Sequence, residues 1–165
     1  MNPSCRHALE AGLLLGNQQN AHITALTMGP PAAEEVLREA IAAGADRGVL
    51  ISDPRMAGAD TAVTSHILAK AIETACPDAD LILCGCHTSD SETAQVGPQL
   101  AEELELPGVA YVEHLELKDG ALLMRRVSDD FLETLEMDLP GLVTVTTRQY
   151  PPRYVSLSGL QDAFD

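Results

Sequence analysis

Thiol, imidazole, hydroxyl and carboxylate groups crowd into one short stretch of this 165-residue chain: Cys84, Cys86 and His87, then Thr88, Ser89, Asp90, Ser91, Glu92 and Thr93. Three chemistries compete for it. Cys and His ligate zinc, but structural sites use two ligand pairs joined by longer loops. His7, His22, His66 and His114 are scattered and supply no second pair. Strand alternation points Cys84 and Cys86 to one side, and a buried apolar role is expected for them, with no metal. Nucleophilic catalysis calls for an elbow such as G-x-S-x-G or a matched Cys–His motif, and neither occurs. The third chemistry is anion binding. Residues 81–84 are an apolar run, Gly85 breaks it, and a helix is expected over 92–104, with Val96, Leu100 and Leu104 at helical spacing. A strand, a polar loop and a helix N-terminus together hold phosphate at the carboxyl edge of a parallel sheet. The plain alternative is a connection in which Asp90 caps the helix rather than orienting a ribose. No G-x-G-x-x-G and no G-x-x-x-x-G-K-[ST] is present, so ordinary dinucleotide and P-loop sites are disfavoured.

The elements that must position this loop follow from periodicity. A helix is expected over 3–17, with Asn2-Pro3-Ser4 as its cap and Leu9, Leu13 and Leu14 on one face. A strand over 23–28 ends at Gly29-Pro30-Pro31. An amphipathic helix follows over 32–43, burying Val36, Leu37, Ala40 and Ile41 and stopping at Gly44. A strand over 49–52 leads to a helix reaching Ala75, capped by Asp60-Thr61. Strands alternating with helices predict a parallel sheet covered on both faces. Beyond Pro107, apolar stretches at 109–117, 121–127, 132–137 and 142–147, with turns at Lys118-Asp119-Gly120 and Asp129-Asp130, predict an antiparallel extension. The organisation expected is one Rossmann-like domain over 1–150 and a C-terminal tail over 151–165. Such sheets usually open with a strand, whereas this sequence opens with a helix. The first strand is therefore expected to be missing, supplied by another chain or replaced by an exchanged element.

Composition narrows the classes. A formal charge of −15 argues against a nucleic-acid surface and against docking on an anionic membrane. No apolar run approaches the roughly 20 residues of a membrane span, and the start does not read as a signal peptide. Cys5, Cys76, Cys84 and Cys86 are not spaced as a disulfide framework, so a reduced, cytoplasmic protein is expected.

Four passages resemble the β subunit of electron-transfer flavoproteins, the FixA family. Met1-Asn2-Pro3 with Ala8-Leu9-Glu10-Ala11 resembles its MNP…ALEEA segment. Thr27-Met28-Gly29-Pro30-Pro31, with residues 40–47, resembles its S-x-GP…A-x-x-x-GAD-R signature. Residues 85–97 resemble its G-[KR]-Q-x-x-D-x-D-x-x-Q-x-G loop, matching at Gly85, Asp90, Gln95 and Gly97. Residues 126–144 resemble a late signature through Asp129, Asp130, Glu133, Leu135, Pro140, Leu142, Val143 and Thr144. The resemblance implies a three-layer α/β sandwich of the adenine-nucleotide hydrolase type and a heterodimer with an α-type subunit. It implies AMP, or in bifurcating members FAD, held by Asn2, Pro3, Ser4 and Cys5, by Met28, and by Gly85, Cys86, His87, Thr88, Ser89, Asp90, Ser91, Glu92, Thr93, Ala94, Gln95 and Val96. Electrons would arrive from an acyl-CoA or similar dehydrogenase docked on Tyr154, Leu157 and Leu160. The function implied is electron carriage, not catalysis. The sequence departs from the family where Cys86-His87 replace a basic residue and Gln, and Glu92 replaces Asp. Val127 stands where many members carry a Glu facing the flavin, and Asp162 and Asp165 stand where lysines follow the docking loop. The family's first strand, its K-x-V-x-D segment and its C-terminal arm have no counterpart here, so truncation at both ends is expected. Two rival readings are a stand-alone adenine-nucleotide-binding homodimer resembling universal stress proteins, whose G-x-x-G-x(9)-G-[ST] loop is not found, and a scaffold that has lost its ligand. An open sheet edge makes self-association an expectation.

Overall fold

A computed structural model describes residues 1–88 and 91–164. Helix α1 (Pro3–Gln19) opens with Pro in its first turn, where a missing N–H costs nothing, and closes on Asn20 in the left-handed region at φ 54°. Strand β1 (Thr24–Met28) leads through a 3-10 turn (Pro31–Ala33) into α2 (Glu34–Ala43). The first turn expected for this helix is thus 3-10, with Pro31 at its start. Gly44 ends α2 at φ 121°, a conformation open to glycine. Then come β2 (Arg47–Ile51) and α3 (Thr61–Ala75), whose Val63 N–H donates to the Asp60 carboxylate at 2.8 Å, the cap the sequence announced.

Strand β3 (Leu81–Gly85) and helix α4 (Val96–Glu103) flank the loop of interest. The helix begins four residues later than periodicity predicted, because Glu92 and Ala94 take left-handed backbone at φ 49° and 55°, which no right-handed helix accommodates. Strands β4 (Gly108–Val112), β5 (His114–Lys118), β6 (Ala121–Ser128), β7 (Phe131–Asp138) and β8 (Gly141–Val145) follow, and α5 (Leu157–Asp162) completes the order.

The parallel part comes as two blocks, β1–β2 and β3–β8–β4, and β5–β6–β7 form an antiparallel sheet. This corrects the expectation that every strand after Pro107 is antiparallel. The stretch 109–117 is two strands, and its first half, β4, lies parallel to β8, which itself lies parallel to β3. The antiparallel part is two hairpins, whose turns place Asp119, Gly120, Asp129 and Asp130 at positive φ.

Helices cover both faces. On one side α1 packs on β3 and β8, and α2 on β1 and β2. On the other side Leu68, Ile72 and Ala69 of α3 and Leu100 and Ala101 of α4 share a cluster with Ile82, Cys84 and Leu142. The face of α1 differs from expectation. Ala8, Ala11, Leu13 and Gly16 are buried, while Leu14 is exposed. Small residues are needed because the helix crosses the sheet closely: a Cβ at Gly12 would lie 3.3 Å from Leu83, and one at Gly16 2.8 Å from Ile23. Fully enclosed Val112, Leu122, Met124, Val143 and Val145 anchor the main core, each contributing about 1.5–3 kcal/mol by burial.

Candidate functional site

The carboxyl edge of the parallel block gathers most of the residues singled out from the sequence. Asn2 occupies the N-cap position of α1 but does not cap it with its side chain. Its amide donates instead to the His87 carbonyl at 2.8 Å, to Ser4 Oγ at 2.9 Å and to Cys5 Sγ at 3.3 Å. The buried Ser4 hydroxyl donates to the same carbonyl. This clasp brings the start of α1 against the end of β3, and Gly85 makes it possible. A Cβ there would lie 2.5 Å from Ser4 Oγ and 2.7 Å from the Cys5 nitrogen. Gly85 is therefore a close-approach glycine, which accounts for the break in the apolar run.

Beyond the clasp, the loop is held at both ends. Glu92 N–H donates to the Thr88 carbonyl at 3.0 Å, and the Thr88 and Ser91 hydroxyls lie 3.1 Å apart. At the far end Thr61 donates to Gln95 Oε1 at 3.1 Å, and the buried Ser65 hydroxyl reaches the Val96 carbonyl at 3.3 Å. Gln95 is the N-cap residue of α4, yet its side chain makes no capping bond. The N–H groups of Val96 and Gly97 thus open the helix, while Pro98 at the third position has none to offer. Gly97 is a second close approach, since a Cβ there would collide with the Thr144 methyl. Thr61, Ser65 and Thr144 escaped sequence reasoning. A helix-start Thr and a mid-strand Thr carry no local signal of what they meet across the sheet.

Ser89 and Asp90 lie outside the described residues. Pro3, Thr93 and Ala94 lie along the same edge, Pro3 in α1 and the other two in the 91–95 segment. Met28 ends β1, on the opposite side of an open strand edge, and no hydrogen bond among the described residues ties it to the clasp. Cys86 Sγ lies 3.0 Å from His87 Nδ1. Burial pushes the Cys84 thiol up to about 12 and also raises that of Cys86, so neither is poised as a thiolate nucleophile. Among the described residues no three His, Cys, Asp or Glu side chains are grouped so as to hold a metal ion.

The donor set suits an anion: loop hydroxyls and a helix start without a capping side chain can meet phosphate and sugar oxygens. A further sign is the buried Thr146 hydroxyl, just past β8 at the same edge, which has no hydrogen-bond partner among the described residues. The docking residues expected in the tail stand out in solvent, with Tyr154 97 % and Leu157 86 % exposed and Leu160 partly so. The tail is fastened below them by Arg153, which meets the buried Glu10 carboxylate of α1 at 2.8 Å, and by α5 lying on α2. Among the described residues no helix is long and apolar enough to cross a membrane.

A family model for the electron transfer flavoprotein domain matches residues 1–162. The chain belongs to this family. The electron transfer flavoprotein subunit beta of Clostridium acetobutylicum is 41 % identical over 165 residues, covering 100 % of this chain and 63 % of its own length. The caffeyl-CoA reductase-Etf complex subunit CarD of Acetobacterium woodii is 40 % identical over 166 residues, again 100 % and 63 %. Protein FixA of Azorhizobium caulinodans is 40 % identical over 153 residues, 88 % of this chain and 54 % of its own length. The chain thus spans less than two thirds of the curated relatives it matches. The α/β sandwich with parallel and antiparallel parts is consistent with the electron transfer flavoprotein domain.

Proposed function

We propose that this chain is the β-type subunit of an electron-transfer flavoprotein, holding AMP, or the adenylate of FAD, at the carboxyl edge of its sheet. The observation that carries the reading is the meeting of the Asn2–Ser4 clasp on His87 with a loop that delivers an N-terminus of α4 lacking a side-chain cap. Val96 and Gly97 N–H groups and the Thr88, Ser91 and Thr93 hydroxyls would take phosphate and ribose. Gly85 keeps α1 close, and Thr61 and Ser65 fix the angle at which the loop enters α4. FAD bound here would supply flavin redox chemistry, whereas AMP would supply only a structural anchor. The rest of the fold would form one wall against a flavin-bearing α-type partner. Electrons would come from an acyl-CoA-type dehydrogenase docked on Tyr154, Leu157 and Leu160. Supporting this, one relative is named a subunit of a caffeyl-CoA reductase-Etf complex and another, from Anaerotignum propionicum, an acryloyl-CoA reductase electron transfer subunit. In this reading the chain is a carrier subunit, not a catalyst.

The deciding test is the ultraviolet–visible spectrum and nucleotide content of natively purified protein, followed by calorimetric titration with AMP. One equivalent of AMP or flavin per chain is expected. Protein that is empty and refuses AMP sinks the nucleotide reading and leaves a scaffold.

A further inference from the structure

A strained tyrosine stands at the rim of the candidate site. Tyr111, in β4, takes φ 60°, left-handed backbone that a bulky aromatic residue adopts only under constraint. The pairing of β4 with β8 shifts register between Val109 and Val112, so Ala110 and Tyr111 form a bulge. Side chains meet two of its backbone groups. The Tyr111 N–H donates to Thr144 Oγ1 at 2.9 Å, and the Arg126 guanidinium donates to the Ala110 carbonyl at 3.2 Å. Arg126 is held in turn by Glu133 at 2.6 Å. A bulge secured in this way is a built feature, and bulges beside functional sites re-aim a side chain. This one leaves the Tyr111 ring 47 % exposed, while Val112, the next residue, is wholly buried. Tyr150 shows the contrast: it is buried, and its hydroxyl accepts from the Leu115 N–H at 2.6 Å, so its work is packing.

Thr144 fixes where that ring stands. It is the one hydroxyl-bearing residue of β8, a strand buried throughout. Its hydroxyl holds the Tyr111 N–H, and its methyl abuts the start of α4, where a Cβ on Gly97 would collide with it. One buried side chain therefore ties the bulge to the N-terminus of α4. Tyr111 stands beside the amides that the reading above gives to phosphate. The same rim is short of a polar partner. Thr146 N–H donates to the Val112 carbonyl at 2.9 Å, yet its buried hydroxyl has no partner among the described residues. An aromatic face next to an anion site suits the planar ring of a phosphate-bearing ligand, because a heteroaromatic ring always offers a face to stack on.

We propose that Tyr111 is a stacking platform for the planar ring of the bound nucleotide, with Thr144 as the positioning residue that holds it. The inference rests on the nucleotide reading and names the residue that meets the ring, whether adenine or isoalloxazine. The test is calorimetric titration of wild type, Tyr111→Phe, Tyr111→Gly and Thr144→Val with AMP, FAD and ribose 5-phosphate. Tyr111→Gly deletes the ring at a φ that glycine accepts freely. It is expected to weaken ring-bearing ligands at least about tenfold, with Tyr111→Phe within about twofold of wild type and ribose 5-phosphate unaffected by either. Its thermal midpoint should stay within about 3 °C of wild type, because relief of strain offsets the extra freedom glycine gives the unfolded chain. Thr144→Val removes the acceptor for the Tyr111 N–H and should weaken the same ligands about threefold, again sparing ribose 5-phosphate. Loss of both AMP and FAD affinity assigns the adenine to Tyr111, and loss of FAD affinity alone assigns the isoalloxazine. Equal weakening of ribose 5-phosphate, a Tyr111→Phe variant as weak as Tyr111→Gly, or a collapse of the Tyr111→Gly midpoint would each overturn the proposal. A wild-type chain that takes neither AMP nor FAD sinks the nucleotide reading and this one together. One that takes them equally well with glycine at position 111 sinks this one alone.

Discussion

Strands β8 and β1 are both five residues long and both lie in parallel ladders, yet they live in different environments. All five residues of β8 are buried, and all five of β1 are only half-buried. The difference is neighbours. β8 is flanked by β3 and β4, whereas β1 has β2 on one side and an open edge on the other. A strand in a helix-covered sheet is enclosed by its lateral partners as much as by its own hydrophobicity. Pairing thus encloses β8 from both sides and β1 from one.

Substitutions that probe this contrast should differ most in the core. Val143→Ala in β8 is expected to lower unfolding free energy by about 2–3 kcal/mol, since it leaves a cavity in rigid surroundings. Leu26→Ala in β1 should cost about half as much, because solvent already reaches the site. Equal losses in urea denaturation would break the comparison. Arg153→Ala strands the Glu10 carboxylate in a largely buried position and should cost about 2 kcal/mol, with Glu10→Gln in the same chain recovering part of it. Gly85→Ala pushes Ser4 and Cys5 away from the end of β3. A loss of about 1–2 kcal/mol is expected together with loss of any AMP affinity, whereas Gly58→Ala, which meets nothing, should cost only its backbone strain at φ 79°.

The smallest effect is electrostatic. Burial alone would raise the Glu39 pKa, but hydrogen bonds and charge from the Met1 ammonium and Arg6 outweigh it and hold the carboxylate below its usual value. A carboxylate with a lowered folded-state pKa stabilises above its unfolded pKa, and the benefit drains away as pH falls through the folded value. The stability gap between wild type and Glu39→Gln should therefore be fully present at neutral pH and close as pH falls below the ordinary glutamate range. A gap that persists unchanged into strong acid would show that the contact between α1 and α2 does not rest on this charge.

Much of this molecule could be read from its sequence. Gly44 and the Asp60 cap set the limits of α2 and α3, since both devices act within a few residues. The loop after β3 was legible too, from an apolar run broken by Gly85. What escaped depends on distant partners. Residues 109–117 and 142–147 read as strands of an antiparallel extension, and nothing local states that β4 and β8 join β3 in a parallel block. The start of α4 escaped because Glu92 and Ala94 adopt left-handed backbone that residue type does not announce. Leu14 looked like a core residue until the close crossing of α1 gave that role to Ala8, Ala11 and Gly16.

The bonds from Asn2 and Ser4 to the His87 carbonyl also make the start of α1 a reporter. One carbonyl at the mouth of the loop tethers the first turn of α1, so opening the loop would cost both of these bonds. Amide exchange in that turn would be faster in the empty protein than in the occupied one, turning exchange rate into a gauge of what the loop holds.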